Sequence, residues 1–354
     1  MPDRIRILFF ADSHLGLDLP LRPRVGRRRR GFDFLANYAN ALEPAMCGDV
    51  DLVVHGGDVF NRSAPHASLA HQAYEPLRRV ADRGIPVFIV PGNHERSRLP
   101  HTRLLAHRNI HVFDVPRTFV VEVRGTRVAL SGFPYERDDV RTKFRDLVEQ
   151  TQWRECGDAH RLLVIHHCVE GATVGPGNFT FTAASDVIRA SDITPHFSAV
   201  LSGHIHRHQV LTLDAPVLYP GSIERTSFAE IDEPKGFMML EIDSETGALS
   251  WEFRGLPARP MQRHELDANQ LCAAALEKSI FAIAGTAPCD AVISVRVSGD
   301  LSDDHWRVIS PAYLRPRIPA TMNLDVTPVS GFVRRMRAEP KQSAPDIQHA
   351  LFGD

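Results

Sequence analysis

The sequence predicts an α/β protein, a layered sandwich with mixed sheets followed by a small C-terminal α+β domain. Three observations predict it. Short apolar runs rich in Val, Ile, Leu and Phe recur along the chain, amphipathic helical stretches separate the first of them, and a proline-bearing connector after Gly255 opens a new strand–helix–strand pattern.

Residues 4–11, 51–57, 86–91, 161–167 and 199–203 read as buried strands, each stopping at a polar cluster. Residues 31–47 place Phe32, Leu35, Tyr38, Ala39 and Leu42 on one helical face, and 66–83 do the same with Leu69, Ala73, Leu77 and Val80. The chain therefore opens βαβαβ, with parallel strands and helical crossovers. Beyond residue 110, Thr118–Val123 and Arg127–Phe133 flank a turn at Gly125, and 208–219 and 236–253 read as further hairpins. Leu256-Pro257-Ala258-Arg259-Pro260 reads as a connector, followed by a helix near 269–284 and a strand at 291–297. The expected division is a main domain over 1–257, a small domain over 258–330 and a mobile tail over 331–354, whose Ile347, Leu351 and Phe352 form a short amphipathic end.

Composition excludes several classes. Apolar residues make up 43% and charged residues 24% of 354 residues, which is globular usage rather than that of a disordered or collagen-like chain. No apolar run reaches the length of a membrane span, and Ile7-Leu8-Phe9-Phe10-Ala11 is too short for a signal peptide core. Five cysteines, an odd number without a C-x-x-C pair, argue against a disulfide framework or a thiolate zinc site and for a reducing cytoplasm. A net charge of −2 gives no general attraction to nucleic acid. The 18 histidines are the better lead, because imidazole is the commonest protein ligand for metals.

Five strands end in metal-binding side chains: Asp12-Ser13-His14, Gly57-Asp58, Gly92-Asn93-His94-Glu95, His166, and Gly203-His204-Ile205-His206. Ligands bind at the carboxyl ends of strands in open α/β sheets, so these clusters should converge on one edge. Carboxylate, carboxamide and imidazole without thiolate suit Mn²⁺, Fe²⁺ or Zn²⁺ and fit a single Ca²⁺ poorly. Seven candidates exceed the needs of one ion. Two ions about 3.5–4 Å apart, bridged by Asp58, would use them all and could bind both the attacking and the leaving oxygen of a phosphate ester.

In that order, D-x-H, G-D, G-N-H-E, a lone His and G-H-x-H resemble the calcineurin-like metallophosphoesterase superfamily over residues 5–230. A closer resemblance, to the SbcD-type DNA repair nucleases, is carried by Gly57-Asp58-Val59-Phe60, Tyr219-Pro220-Gly221-Ser222-Ile223-Glu224-Arg225 and Lys235-Gly236-Phe237. The resemblance implies a four-layer α/β/β/α sandwich, a small capping domain in 258–330, and Mn²⁺-dependent cleavage of DNA phosphodiesters by metal-activated hydroxide. It further implies a homodimer and an SbcC-type ABC ATPase partner. Asp12, His14 and His206 would hold one ion with Asp58, and Asn93, His166 and His204 the other, again with Asp58. His94, next to a ligand, would face the scissile phosphate as general acid.

Some positions depart from the family. Asn61 stands where archaeal and eukaryotic relatives place a histidine that helps position the phosphate, so their exonuclease mechanism does not transfer whole. Glu95 replaces the more usual Asp, as a group that supports the ligands, and the tail is short for a family whose C-terminal region binds an ATPase.

Blander readings stand beside these. His55 reads as a satisfied strand histidine, His208 as a hairpin residue, and ten others as surface or structural. Alternation sends His166 and His167 to opposite faces, and the apolar residues before it favour His166 as the ligand. The run Arg27–Arg30, with Arg22 and Arg24, is either a solvated face or a DNA-phosphate contact in the first βα loop, where Arg28, Arg29 and Arg30 join Arg62 and Arg96 as candidates. Phe32, Phe34, Tyr38 and Tyr74 are core residues or a dimer face, and the apolar end of the tail is a frayed terminus or a partner-binding turn.

Three functions compete. A DNA nuclease would carry a basic groove across the metals, and a small-molecule phosphodiesterase or pyrophosphatase a closed pocket. A binding scaffold would have lost catalysis, which the complete ligand set speaks against. Gly-Asp-Val-Phe-Asn-Arg-Ser differs from the G-D-x-V-D-R-G of protein phosphatases.

Overall fold

The computed structural model describes residues 4–19 and 28–329. Two compact units divide them: one takes 4–19, 31–226 and 232–258, the other 28–30, 227–231 and 259–329.

The first unit opens with β1 (Arg4–Phe10), α1 (Gly31–Cys47), β2 (Leu52–His55), α2 (Ala67–Asp82), β3 (Val87–Ile89) and β4 (Ile110–Val112), followed by the hairpin β5 (Arg117–Val123) and β6 (Thr126–Gly132). After α3 (Val140–Gln150) and β7 (His160–Ile165) come two short pairs, β8 (Cys168–Val169) with β11 (Val187–Ile188) and β9 (Thr173–Val174) with β10 (Phe179–Thr180). Strands β12 (Ala199–Ser202), β13 (Gln209–Leu211), β14 (Val217–Tyr219), β15 (Gly236–Asp243) and β16 (Leu249–Gly255) complete it.

These strands build two six-stranded sheets, β16-β15-β1-β2-β3-β4 and β13-β14-β12-β7-β6-β5. Each has a parallel centre, β1 to β4 in the first and β14-β12-β7-β6 in the second, extended by antiparallel strands. Side chains alternate across the pleat, so Ile5, Ile7 and Phe9 pack with Leu130, Leu162, Val164 and Leu201 between the sheets. Leu8 and Phe10 instead meet Phe34, Tyr38 and Leu77 of the helices. On the outer face of the second sheet, Leu163, Ile165 and Val200 pack against Phe144 and Trp153. The layers thus run α/β/β/α, as the sequence resemblance implies. Phe34, Tyr38 and Tyr74 are core residues, whereas Phe32 is 54% exposed.

The second unit has a three-stranded sheet, all parallel, of β17 (Met261–Asp267), β18 (Val292–Ser298) and β19 (Asn323–Pro328), with α4 (Ala273–Thr286), α5 (Asp303–Ile309) and α6 (Pro311–Leu314). Its core gathers Leu276, Ile280, Val295, Val297 and Val308. The backbone of Arg28 belongs to this unit: its N–H donates to the Ala320 carbonyl at 3.2 Å, and its own carbonyl accepts from Asn323 at 3.2 Å. All five cysteines are free, and no described helix is long and apolar enough to cross a membrane.

Candidate metal centre

The carboxyl ends of β1, β2, β3, β7 and β12 bring the predicted ligands together. The main chain keeps pairing beyond β1 and β2: Asp12 N–H donates to the Gly57 carbonyl at 2.9 Å, His14 N–H to Asp58 at 3.0 Å and Leu15 N–H to Val59 at 2.9 Å. This zipper sets Asp12, His14 and Asp58 side by side. It does so in an unusual conformation, since Asp12, His14, Asp58 and His204 have φ of 52°, 41°, 53° and 79°. Such left-handed backbone costs on the order of 1–3 kcal/mol per non-glycine residue, and it persists where neighbours over-determine it.

The donor atoms converge on Asp58. Its Oδ2 lies 3.3 Å from His166 Nε2 and 3.9 Å from both His14 Nε2 and His94 Nε2. His14 and His206 bring their Nε2 atoms to 2.9 Å from one another, each within 3.9 Å of Asp12 Oδ1. Asn93 Oδ1 faces His166 Nε2 at 3.1 Å and His204 Nδ1 at 3.0 Å. Two imidazole nitrogens that close can share one proton at most, so a cation held by both would remove the repulsion between their lone pairs. Three overlapping groups meet the geometry of a metal site: Asp12, His14 and His206; His14, Asp58 and His94; and Asp12, Asp58 and His166. The donor set fits divalent ions that accept mixed oxygen and imidazole ligands.

Electrostatics follows from this crowding. Burial opposes charge on Asp58, yet the surrounding rings of His166, His14 and His94 hold its carboxyl well below the usual range. Burial likewise opposes charge on His166, but Asp58 and Asp12 carry it up to about 9. Burial keeps Asp12 up at about 6 and pushes His204 well below an ordinary histidine.

A ring of supporting groups aims the ligands. His166 Nδ1–H donates to the Gly56 carbonyl at 2.7 Å, which turns Nε2 inward. His206 Nδ1 is 3.2 Å from Thr226 Oγ1, and its carbonyl accepts from the buried Lys235 ammonium at 2.8 Å. Glu95, buried, accepts from the N–H groups of Phe60 at 2.7 Å, Gly92 at 2.8 Å and Asp58 at 3.2 Å. Two glycines make the approach possible. A Cβ on Gly92 would sit 2.1 Å from Asp58 Oδ1, and one on Gly57, at φ 104°, 2.3 Å from His166 Nδ1.

His94 differs from the ligands. Its side chain is 31% exposed where that of His14 is 2%. Its N–H donates to Asp58 Oδ1 at 2.9 Å, and its Nδ1–H donates to the Asn61 carbonyl at 2.9 Å, leaving Nε2 toward the cluster. Asn61 therefore acts through its main chain, a role its side-chain identity does not reveal.

Two further histidines near the cluster are held by other partners, and His349 lies outside the described residues. His55 is buried, accepts from Gly57 N–H at 3.2 Å and donates to Ser13 Oγ at 2.8 Å. His167 turns away from the ligands, stacks on Tyr135 with centroids 4.8 Å apart and accepts from Glu136 N–H at 2.9 Å. Arg62 and Arg96 are exposed on the loops that carry Asp58 and His94. Arg28 to Arg30 belong to the second unit, while Arg22, Arg24, Arg27, Ile347, Leu351 and Phe352 lie outside the described residues. Tyr135 is the residue that sequence reasoning missed. It follows the end of β6, a sixth strand pointing to the same edge, and no metal-binding side chain marks it.

Fold and site together define a metal-dependent phosphoesterase scaffold, and the family model of the calcineurin-like phosphoesterases matches residues 5–208. The chain belongs to that family. It is similar to the DNA double-strand break repair protein Mre11 of Thermoplasma acidophilum, 25% identical over 74% of this chain and 68% of that protein. Its match to Mre11 of Haloferax volcanii is 30% identical over 74% of this chain and 54% of the relative. The match to the SbcD component of the nuclease SbcCD of Bacillus subtilis is 26% identical over 67% of this chain and 66% of that component. The chain thus matches about half to two thirds of the length of these relatives.

Proposed function

We propose that this protein is a nuclease that hydrolyses DNA phosphodiesters with two divalent ions, Mn²⁺ first among them, in the cytoplasm. The observation that carries the reading is the convergence of six ligand side chains and His94 around a seventh, the Asp58 carboxylate. DNA as substrate is supported by relatives named for double-strand break repair and for a nuclease.

Asp12, His14 and His206 would hold one ion and Asn93, His166 and His204 the other, with Asp58 between them. Two such ions, when bound, would supply charge neutralisation for a phosphate ester and a more acidic water. The protein's own groups do the rest. Gly56 and Asn61 carbonyls fix the tautomers of His166 and His94, so each Nε2 faces inward. His94 would deliver a proton from Nε2 to the leaving oxygen of the cleaved strand. Arg62 and Arg96 neutralise flanking DNA phosphates, with Arg28, Arg29 and Arg30 as further contacts. The second unit acts as a capping domain over 258–330. A homodimer, with the exposed Phe32 in its face, and an SbcC-type ATPase complete the proposal.

The test compares the protein with Asp58→Asn, in Mn²⁺ and in EDTA, on end-labelled duplex, single-stranded and hairpin DNA and on bis-p-nitrophenyl phosphate. The expected result is shortened DNA that requires both Mn²⁺ and Asp58. Hydrolysis of the small diester with all DNA intact, also after addition of an SbcC-type ATPase, would overturn DNA as substrate.

A further inference from the structure

We propose that Tyr135 is a substrate contact, its hydroxyl donating a hydrogen bond to a phosphate oxygen on the Asn93, His166 and His204 side of the centre. The inference rests on the phosphodiesterase reading above and extends it to a residue outside the metal-ligand motifs.

Four observations place the ring there. Its centroid lies 5.7 Å from that of His204 and 6.2 Å from that of His166, so it forms the wall beside two ligand side chains. One face is taken by His167, stacked at 4.8 Å and 11°, which leaves the edge and the hydroxyl as the useful surface. The backbone of Tyr135 is tied at both ends to the loop that carries Asn93 and His94. Its N–H donates to the Pro91 carbonyl at 3.0 Å, and its carbonyl accepts from the Ser97 hydroxyl. Finally, the side chain is half-buried and its phenol hydroxyl makes no hydrogen bond among the described residues, so the hydroxyl is open to a ligand. Packing alone does not use the hydroxyl, since a phenylalanine ring would stack on His167 as well. A ring fixed beside two ligand side chains carries a donor suited to a phosphate oxygen of an ester bound there.

Tyr135→Phe keeps the ring and removes the hydroxyl alone. kcat and KM for bis-p-nitrophenyl phosphate in Mn²⁺, bound Mn²⁺ per chain and the thermal midpoint would be measured for it and for Tyr135→Ala. The expected result for Tyr135→Phe is a loss of about 10–100-fold in kcat/KM, the range for a hydrogen bond to a charged group, with Mn²⁺ content and midpoint unchanged. Tyr135→Ala should match that loss and also lower the midpoint, because His167 loses its stacking partner. Wild-type kcat/KM in Tyr135→Phe would overturn the assignment while leaving the proposed function intact. A wild-type protein inactive on the diester and on DNA would instead overturn the function, and this contact with it.

Discussion

The two halves of the metal centre are held by different means. Around His14 and His206 the support is the main chain itself: Asp12 and His14 sit in left-handed conformation, zipped by N–H···O bonds to the Asp58 loop, and Lys235 clamps the His206 carbonyl. Around Asn93, His166 and His204 the support is close approach. Gly57 and Gly92 clear space for the His166 ring and the Asp58 carboxylate, and the Gly56 carbonyl orients His166. Left-handed backbone aims ligands in both halves, at Asp12 and His14 in the first and at His204 in the second, and the second adds Gly57 and Gly92, positions where no side chain fits. Asp58 belongs to both, which is why its loop carries a positive φ as well as glycine neighbours.

After loss of Asp58 itself, the largest effect should come from a residue that belongs to neither half. His94→Ala is expected to lower turnover by about 10²–10⁴-fold while both ions remain, read by Mn²⁺ stoichiometry beside kcat. Loss of one ion in this variant would break the comparison, since it would make His94 a ligand, a geometry that its grouping with His14 and Asp58 allows. Next come the supports. Gly57→Ala drives a Cβ into the His166 ring, and Lys235→Met releases the His206 carbonyl. Each should weaken one ion by about 10–100-fold, the range for groups that orient ligands. Titration with Mn²⁺ should therefore show one weakened site and one unchanged site in both variants. Equal weakening of the two sites would mean that the halves act as a single unit.

The ligands were legible in the sequence because each stands at the end of an apolar strand in a short motif, and strand ends in an α/β sheet share an edge. The central strands and the two long helices were legible for the same reason, from periodicity. What escaped lacks such markers. Asn61 acts through its carbonyl, which every residue type possesses, and Tyr135 follows a hairpin strand whose neighbours carry no metal-binding group. Helix α3, with only Val140 and Phe144 buried, carries too thin an apolar stripe to announce itself. In the second unit, β17 alternates weakly, with Gln262, His264 and Asp267 all half-buried, so its pairing with β18 could not be read from pattern.

The smallest effect sharpens the comparison from beneath it. His55 lies under both halves, receiving the Gly57 N–H and donating to Ser13, which separates Asp12 from His14. Burial, reinforced by His166, holds it neutral and lowers its pKa to about 3. An unfolded histidine titrates near 6.5, so the unfolded chain takes up a proton there that the folded one refuses. The stabilisation is therefore complete above pH 6.5 and is lost as the pH falls toward 3. His55→Gln cannot titrate, and without metal its thermal midpoint should fall less between pH 7.5 and 4.5 than that of the wild type. Parallel slopes would mean that His55 is protonated in the folded state, and the hydrogen bond from Gly57 would then have to be absent. That outcome would leave the Asp58 loop of both halves without a common footing.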